Sequence, residues 1–198
     1  MNPGCTTDGQ VVRSAAAQEP ITRRIAIIGT SCTGKSTLGQ ALGARLGQPW
    51  IEIDDLHWEP GWSSVGTEEL RRRVQVAADG DRWIIVGNYS RVRELVLARA
   101  TMVVWLNYSF PLTFWRCVKR TFRRVVWQEP CCNGNYETLR LTCSQDSIVL
   151  WVVRTWGKVR RQYACLLPTL EEHGIAVVVH GSPRETARWV ESLPGPAA

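Results

Sequence analysis

Two rhythms of apolar residues alternate along the chain. Short, mainly apolar runs occur at Arg24–Gly29, Trp50–Ile53, Trp83–Val86, Met102–Leu106 and Ala176–Val179, stopped by glycine, aspartate, asparagine or histidine. Runs of this length predict strands buried on both faces of a parallel sheet. Between them the apolar spacing lengthens to three or four residues. Leu38, Leu42 and Leu46 predict a helix over 35–46, ended by Gly47. Thr67–Ala78 predicts a helix capped by Thr67, with Leu70, Val74 and Ala77 inward. A short helix is expected over 91–99. Pro111 opens another, in which Phe114, Val118, Phe122 and Val125 share one face. A long helix from about Ser144 to Leu170 and a closing helix over Arg184–Leu193 complete the series, and Ile148–Val153 reads as a core face of the long one. Residues 128–138, with Pro130 and Gly134, predict a loop. Strands alternating with helices predict an α/β fold: a three-layer sandwich with a five-stranded parallel sheet and helices on both faces.

Residues 1–22 are polar and aperiodic and read as a tail, leaving 23–195 as one domain. The chain of 198 residues is long enough to bury a core without staples. Apolar content of 44% and charged content of 21% exclude a disordered chain. No apolar run approaches the length needed to cross a bilayer, and the start of the chain lacks the pattern of a signal peptide, so no membrane is expected. Seven cysteines without a framework spacing suit reduced thiols in a cytoplasmic protein. The net charge of +6 comes mostly from arginine, and only Lys35, Lys119 and Lys158 are lysines. A basic balance suits an anionic substrate, and it suits nucleic acid equally.

Lys35 lies within Gly29-Thr30-Ser31-Cys32-Thr33-Gly34-Lys35-Ser36, which fits G-x-x-x-x-G-K-[ST] between the first strand and the first helix. The glycines let backbone N–H groups wrap phosphate oxygens, and the following helix adds the positive end of its dipole. Lys35 is expected at the β- and γ-phosphates, Ser36 on Mg²⁺, and Thr37 beside the remaining phosphate. The motif therefore implies ATP, or another nucleoside triphosphate, with Mg²⁺. Cys32 sits in this loop near a helix N-terminus that favours its thiolate, so its oxidation is expected to block nucleotide binding.

Further segments carry a family resemblance. They are Ile53-Asp54-Asp55-Leu56-His57-Trp58, Pro60-Gly61-Trp62 and Asp81–Tyr89, followed by a basic helix at 116–124. Together with the P-loop these resemble the adenylate-kinase-like proteins called DNA topology modulation proteins (FlaR-like), over about residues 23–170. The resemblance implies a small kinase fold with a lid at about 120–145, but no particular acceptor. It also implies an acidic residue before the glycine that follows the third strand, ordering the magnesium shell. Here that position is Val86, so the metal falls to Asp54 or Asp55, or activity is weak.

Asp54 and Asp55 close the second strand beside the expected crevice, where a carboxylate can order Mg²⁺ or take the acceptor's proton. Asp54 is preferred because the family's recurrent aspartate aligns there. His57, Trp58, Asn88, Tyr89 and Arg91 are acceptor-side candidates, with Arg91 able to clamp an anion. Arg120 and Arg124 are the leading lid candidates for charge on the transferring phosphoryl group, with Arg123 close behind. Cys131, Cys132 and Cys143 lack the paired C-x-x-C spacing of a zinc-bearing lid.

Three functions fit these observations. The first is a kinase passing the γ-phosphoryl group of ATP to a nucleotide or other small-molecule acceptor. The second is an ATP-dependent regulatory or nucleic-acid-binding protein, against which stands a lack of aromatic interleaving among the basic residues. The third, suggested by Val86, is a nucleotide-binding protein without catalysis.

Overall fold

The computed structural model describes residues 22–195 except 143, 145 and 146. The expected tail over 1–21 and Cys143 lie outside the described residues. In chain order the elements are β1 (Arg24–Gly29), α1 (Lys35–Leu46), β2 (Trp50–Glu52), α2 (Ile53–His57), β3 (Trp58–Glu59), β4 (Ser63–Ser64), α3 (Thr67–Ala78), β5 (Trp83–Val86) and α4 (Arg93–Leu97). Then come β6 (Met102–Leu106), α5 (Phe110–Trp127), β7 (Pro130–Cys131), β8 (Asn135–Tyr136), α6 (Leu139–Thr142), α7 (Ile148–Glu172), β9 (Ala176–His180) and α8 (Pro183–Ser192).

The five apolar runs form one parallel sheet in the order β2-β5-β1-β6-β9. Successive residues of β1 face opposite sides, which divides the core in two. Ala26 and Ile28 pack with Leu70, Val74, Leu97, Tyr163 and Leu167 from α3, α4 and α7. Ile25 and Ile27 pack with Leu38, Leu42 and Leu46 of α1, and with Trp189 and Val190 of α8. The architecture is the expected α/β sandwich. Thr22 already belongs to it, since it is buried and its carbonyl accepts from Gln48 Nε2 at 2.9 Å.

Several local expectations are corrected. β2 stops at Glu52, because Ile53 turns into α2 and carries Asp54 and Asp55 onto a helical turn. Gly66, not Thr67, is the N-cap of α3, and the Thr67 side chain makes no cap bond. Ala78 rather than Ala77 is the buried alanine of that helix. α4 is confined to five residues. The loop over 128–138 contains a small antiparallel ribbon, β7–β8, whose turn places Cys132, Asn133 and Gly134 at positive φ. The long helix begins at Ile148, and of Ile148–Val153 only Val152 is buried, while Leu150, Trp151 and Val153 are exposed.

The largest correction concerns α5. Its buried stripe is Thr113, Cys117 and Thr121; of the predicted face, Phe122 is exposed and Phe114, Val118 and Val125 are half-buried. Trp115, Phe122 and Trp127 are exposed by 64%, 63% and 64%. The reason lies in what α5 covers: its inner side meets the phosphate loop, where small and polar side chains fit. Its outer side consequently does interleave aromatics with Lys119 and Arg123.

Candidate active site

The segment joining β1 to α1 runs over the carboxyl end of the sheet. At Gly29 a Cβ would come within 2.8 Å of the Leu106 carbonyl oxygen, so only glycine lets the chain leave β1 so close to β6. Gly34 takes φ 97° and caps α1, turning the loop into the helix. Thr33 is buried, and its Oγ1 donates to Thr30 O at 2.8 Å, which closes the loop on itself. Lys35 Nζ donates to the same carbonyl at 2.9 Å. Burial pushes the Lys35 ammonium below its usual range, opposed by the nearby Asp54 carboxylate.

Four side chains act electrostatically on Lys35: Asp54 from α2, Cys32 within the loop, Arg120 from α5, and Glu52 from the end of β2. Sequence reasoning did not single out Glu52. In the sheet it stands directly beside Val86 on the neighbouring strand. Burial raises its pKa, and the nearby Ser36 hydroxyl opposes the rise. A carboxylate thus stands one strand over from Val86. Its one sequence signal is a charged residue ending an apolar run two positions before Asp54.

Asp54 Oδ1 accepts from Tyr89 Oη at 2.6 Å. The Tyr89 hydroxyl is held protonated by burial and by Asp54. Gly87 allows this meeting, because a Cβ there would come within 2.8 Å of Ile53 Cβ. Asp55 is exposed as a residue, its carbonyl accepts from Asn133 Nδ2 at 2.7 Å, and partial desolvation of its carboxylate, then the Asp54 charge, raises its pKa. His57 is buried between the rings of Trp58 and Tyr89, at 4.7 and 5.0 Å, with its Nδ1 unpartnered. Burial holds it below its usual pKa against the pull of Asp54. Trp58 meets Trp62 edge-on at 5.5 Å. Asn88 accepts from the Tyr163 hydroxyl, under the guanidinium of Arg93. Arg91 is exposed, and its carbonyl accepts from Arg71 at 2.7 Å.

The β7–β8 ribbon rests on the β3–β4 ribbon. Asn133 Nδ2 donates to Trp58 O at 2.7 Å, Asn135 Nδ2 to Glu59 O at 3.0 Å, and Trp62 N to Asn135 Oδ1 at 2.8 Å. Side-chain amides, not strand length, hold the two ribbons together over Asp54 and Asp55. Behind them Arg124 Nη1 bonds Glu137 Oε1 at 2.8 Å, and Arg120 Nη2 lies 3.8 Å from the same oxygen. Arg123 instead turns outward to Glu129 at 2.9 Å. Arg116, which the sequence groups with the basic stretch without a role of its own, donates to Thr33 O at 3.1 Å and abuts Gly34. Arg116, Arg120 and Arg124 form a ladder at four-residue spacing, rising from the phosphate loop to the ribbon.

Cys32 takes φ 67° in the loop. A hydrogen bond from the Cys117 thiol lowers its pKa to about 7 against the effect of burial, with help from Arg120 and Lys35. A thiolate therefore exists at neutral pH and is lost as pH falls below that value. We expect the alkylation rate at Cys32 to rise through a midpoint near pH 7, read by peptide mass mapping. We also expect peroxide to weaken ATP binding in the native chain and not in Cys32→Ser. An alkylation midpoint near the ordinary thiol value, or unchanged affinity after peroxide, contradicts this.

No family model matches the chain, and no curated protein matches it either. Among solved structures, the chain is similar to a gluconokinase from Sinorhizobium meliloti 1021, with 18% identity, a TM-score of 0.49 and coverage of 87% of this chain and 90% of that one. It is similar to a shikimate kinase from Aquifex aeolicus vf5, with 14% identity, a TM-score of 0.49 and coverage of 85% and 91%. A shikimate kinase from Acinetobacter baumannii in complex with shikimate gives 14% identity, a TM-score of 0.48 and coverage of 90% and 93%.

Proposed function

We propose that the chain is an ATP-dependent phosphotransferase of the adenylate-kinase-like, FlaR-like type, acting on a nucleotide or another small hydroxyl-bearing acceptor. The observation that carries this reading is the convergence of Lys35, Glu52, Asp54 and Arg120 at the mouth of the phosphate loop. A protein that only holds nucleotide has no need of a carboxylate poised where an acceptor would sit. The resembling segments Ile53–Trp62 and Gly87–Tyr89 supply that acceptor side.

The amides of Gly29–Ser36 and the α1 N-terminus receive the phosphate tail. Lys35 and the Arg116–Arg120–Arg124 ladder spread positive charge along it and match charge that builds as the phosphoryl group moves. Asp54, oriented by Tyr89 through one carboxylate oxygen, keeps the other oxygen for the acceptor's proton. Trp58, Trp62 and His57 wall the acceptor side, and the ribbon contact excludes water there.

The oxygen donors Ser36 and Glu52 fit a hard cation, whereas Val86 offers none and Asp54 is committed to Tyr89 and the acceptor. Bound there, Mg²⁺ would supply charge neutralisation on the phosphates. The adjacent thiols Cys32–Cys117 and Cys131–Cys132 suit a reducing, cytoplasmic setting.

Glu52→Gln is expected to raise the Mg²⁺ concentration needed for half-maximal ATP binding by roughly 10- to 100-fold, while Mg²⁺-free nucleotide binding stays within about threefold. Titration of a fluorescent ATP analogue at varied Mg²⁺ checks this, and an unchanged Mg²⁺ requirement contradicts a metal role for Glu52. The whole reading is tested by a panel of nucleosides, nucleoside monophosphates and hydroxylated metabolites, supplied with ATP and Mg²⁺. At least one acceptor should raise ADP release above the Lys35→Ala background, and failure of every acceptor to do so counts against transfer.

A further inference from the structure

The sequence places an unusual charge density on two helices that pack side by side. Phe110–Gln128 and residues 148–170 together hold nine lysines and arginines and no acidic residue, against a whole-chain net charge of +6. The remainder of the chain is therefore net acidic. α5 packs along α7, with the Phe110 and Trp156 rings 5.6 Å apart.

The same two helices carry exposed apolar bulk. Among the described residues, seven of the twelve large exposed hydrophobic side chains lie on these two helices. On α5, Trp115, Phe122 and Val126 follow one another at helical spacing with Lys119 between them, and Trp127 stands edge-on to Phe122 at 6.5 Å. The first turns of α7 expose Leu150, Trp151 and Val153, followed by the exposed cations Arg154, Lys158 and Arg161. The phosphate-site ladder lies on the inner side of α5; Lys119 and Arg123 share a cavity with Arg116 and Arg120 at its edge, whereas Trp115 and Phe122 are exposed beyond it. Among the described residues no helix is long and apolar enough to cross a membrane.

We propose that the outer face of α5 and the start of α7 form a docking surface for an anionic lipid bilayer, with Trp115, Phe122 and Trp127 entering the interface and Lys119, Arg154 and Lys158 on the headgroups. Charge and side-chain type together select this occupant. Basic residues around tryptophan, phenylalanine and aliphatic side chains are what an interfacial surface requires. Exposed Val126, Leu150 and Val153 gain from an acyl boundary and have no counterpart in stacking on bases. A second copy of the chain is disfavoured, since two such cationic faces would repel.

The test is sedimentation of the full chain with vesicles of phosphatidylcholine alone and of phosphatidylcholine with 30% phosphatidylglycerol. Binding to the anionic vesicles should exceed binding to the neutral ones by about tenfold or more and should fall as salt rises. The variant W115A/F122A/W127A should lose most of that binding while keeping ATP affinity, because these side chains are exposed and lie outside the phosphate site. A second variant, K119Q/R154Q/K158Q, should lose it with the aromatics intact. Three results would each overturn the proposal: no preference for anionic vesicles, binding untouched by both variants, or aromatic-dependent binding to a dT oligonucleotide without vesicle binding. ATP affinity measured alongside keeps failure here separate from failure of the phosphate site.

Discussion

Lys35→Ala is expected to remove acceptor-dependent ADP release, lowering it by about 10³-fold, on the scale seen when one preorganised charge contact to a transition state is deleted. The ammonium is half-buried, bonded only to the Thr30 carbonyl at 2.9 Å, and set among Asp54, Glu52 and Arg120. Its loss leaves two carboxylates at the loop mouth with less opposing charge, so ATP is repelled as well as unanchored. Folding should survive, because Lys35 stands outside both apolar clusters of the core and its hydrogen bond is to a loop carbonyl. Steady-state ADP release and thermal unfolding, measured on the same preparation, separate these effects. Release within about threefold of the native rate would remove Lys35 from the chemistry.

Asp54→Asn is the second large effect. The amide keeps the shape and can still accept from Tyr89 Oη, now at 2.6 Å from Oδ1. It cannot take a proton from the acceptor. We expect kcat to fall by about 10²- to 10⁴-fold while ATP affinity stays within about threefold. Glu52→Gln should behave differently, moving the Mg²⁺ requirement first. Asp55→Asn should change kcat little, since Asp55 points to solvent and engages Asn133 through its backbone. Equal losses at positions 54 and 55, or none at 54, would contradict the assignment of the base.

These expectations show which parts of the site a linear reading reaches. Gly29–Ser36 was legible because its geometry is encoded in eight adjacent residues, and the flanking strand and helix declare themselves by apolar spacing. The sheet was legible for the same reason: β1, β5 and β6 are short runs buried on both sides, and β2 and β9 are half-buried runs at its edges. Glu52 was not, because its meaning depends on strand register: only when β2 lies against β5 does it stand beside Val86. α5 misled for a different reason. Periodicity locates an apolar face but not the direction in which it points. Here the phosphate loop takes the inner side, so Thr113, Cys117 and Thr121 are buried and Trp115, Phe122 and Trp127 face out. Arg116 became visible only with that rotation, through its bond to Thr33 O. The β7–β8 ribbon escaped notice because its strands are two residues each, secured by the side-chain amides of Asn133 and Asn135 rather than by any repeating pattern.

The central claim is transfer, and following the label tests it most directly. ATP carrying a labelled γ-phosphoryl group is incubated with the native chain, Mg²⁺ and the acceptor that best promotes ADP release. The account predicts that label appears covalently on the acceptor, mole for mole with ADP, and that Lys35→Ala and Asp54→Asn both suppress it. Label recovered only as inorganic phosphate, at a rate indifferent to the acceptor, would contradict it.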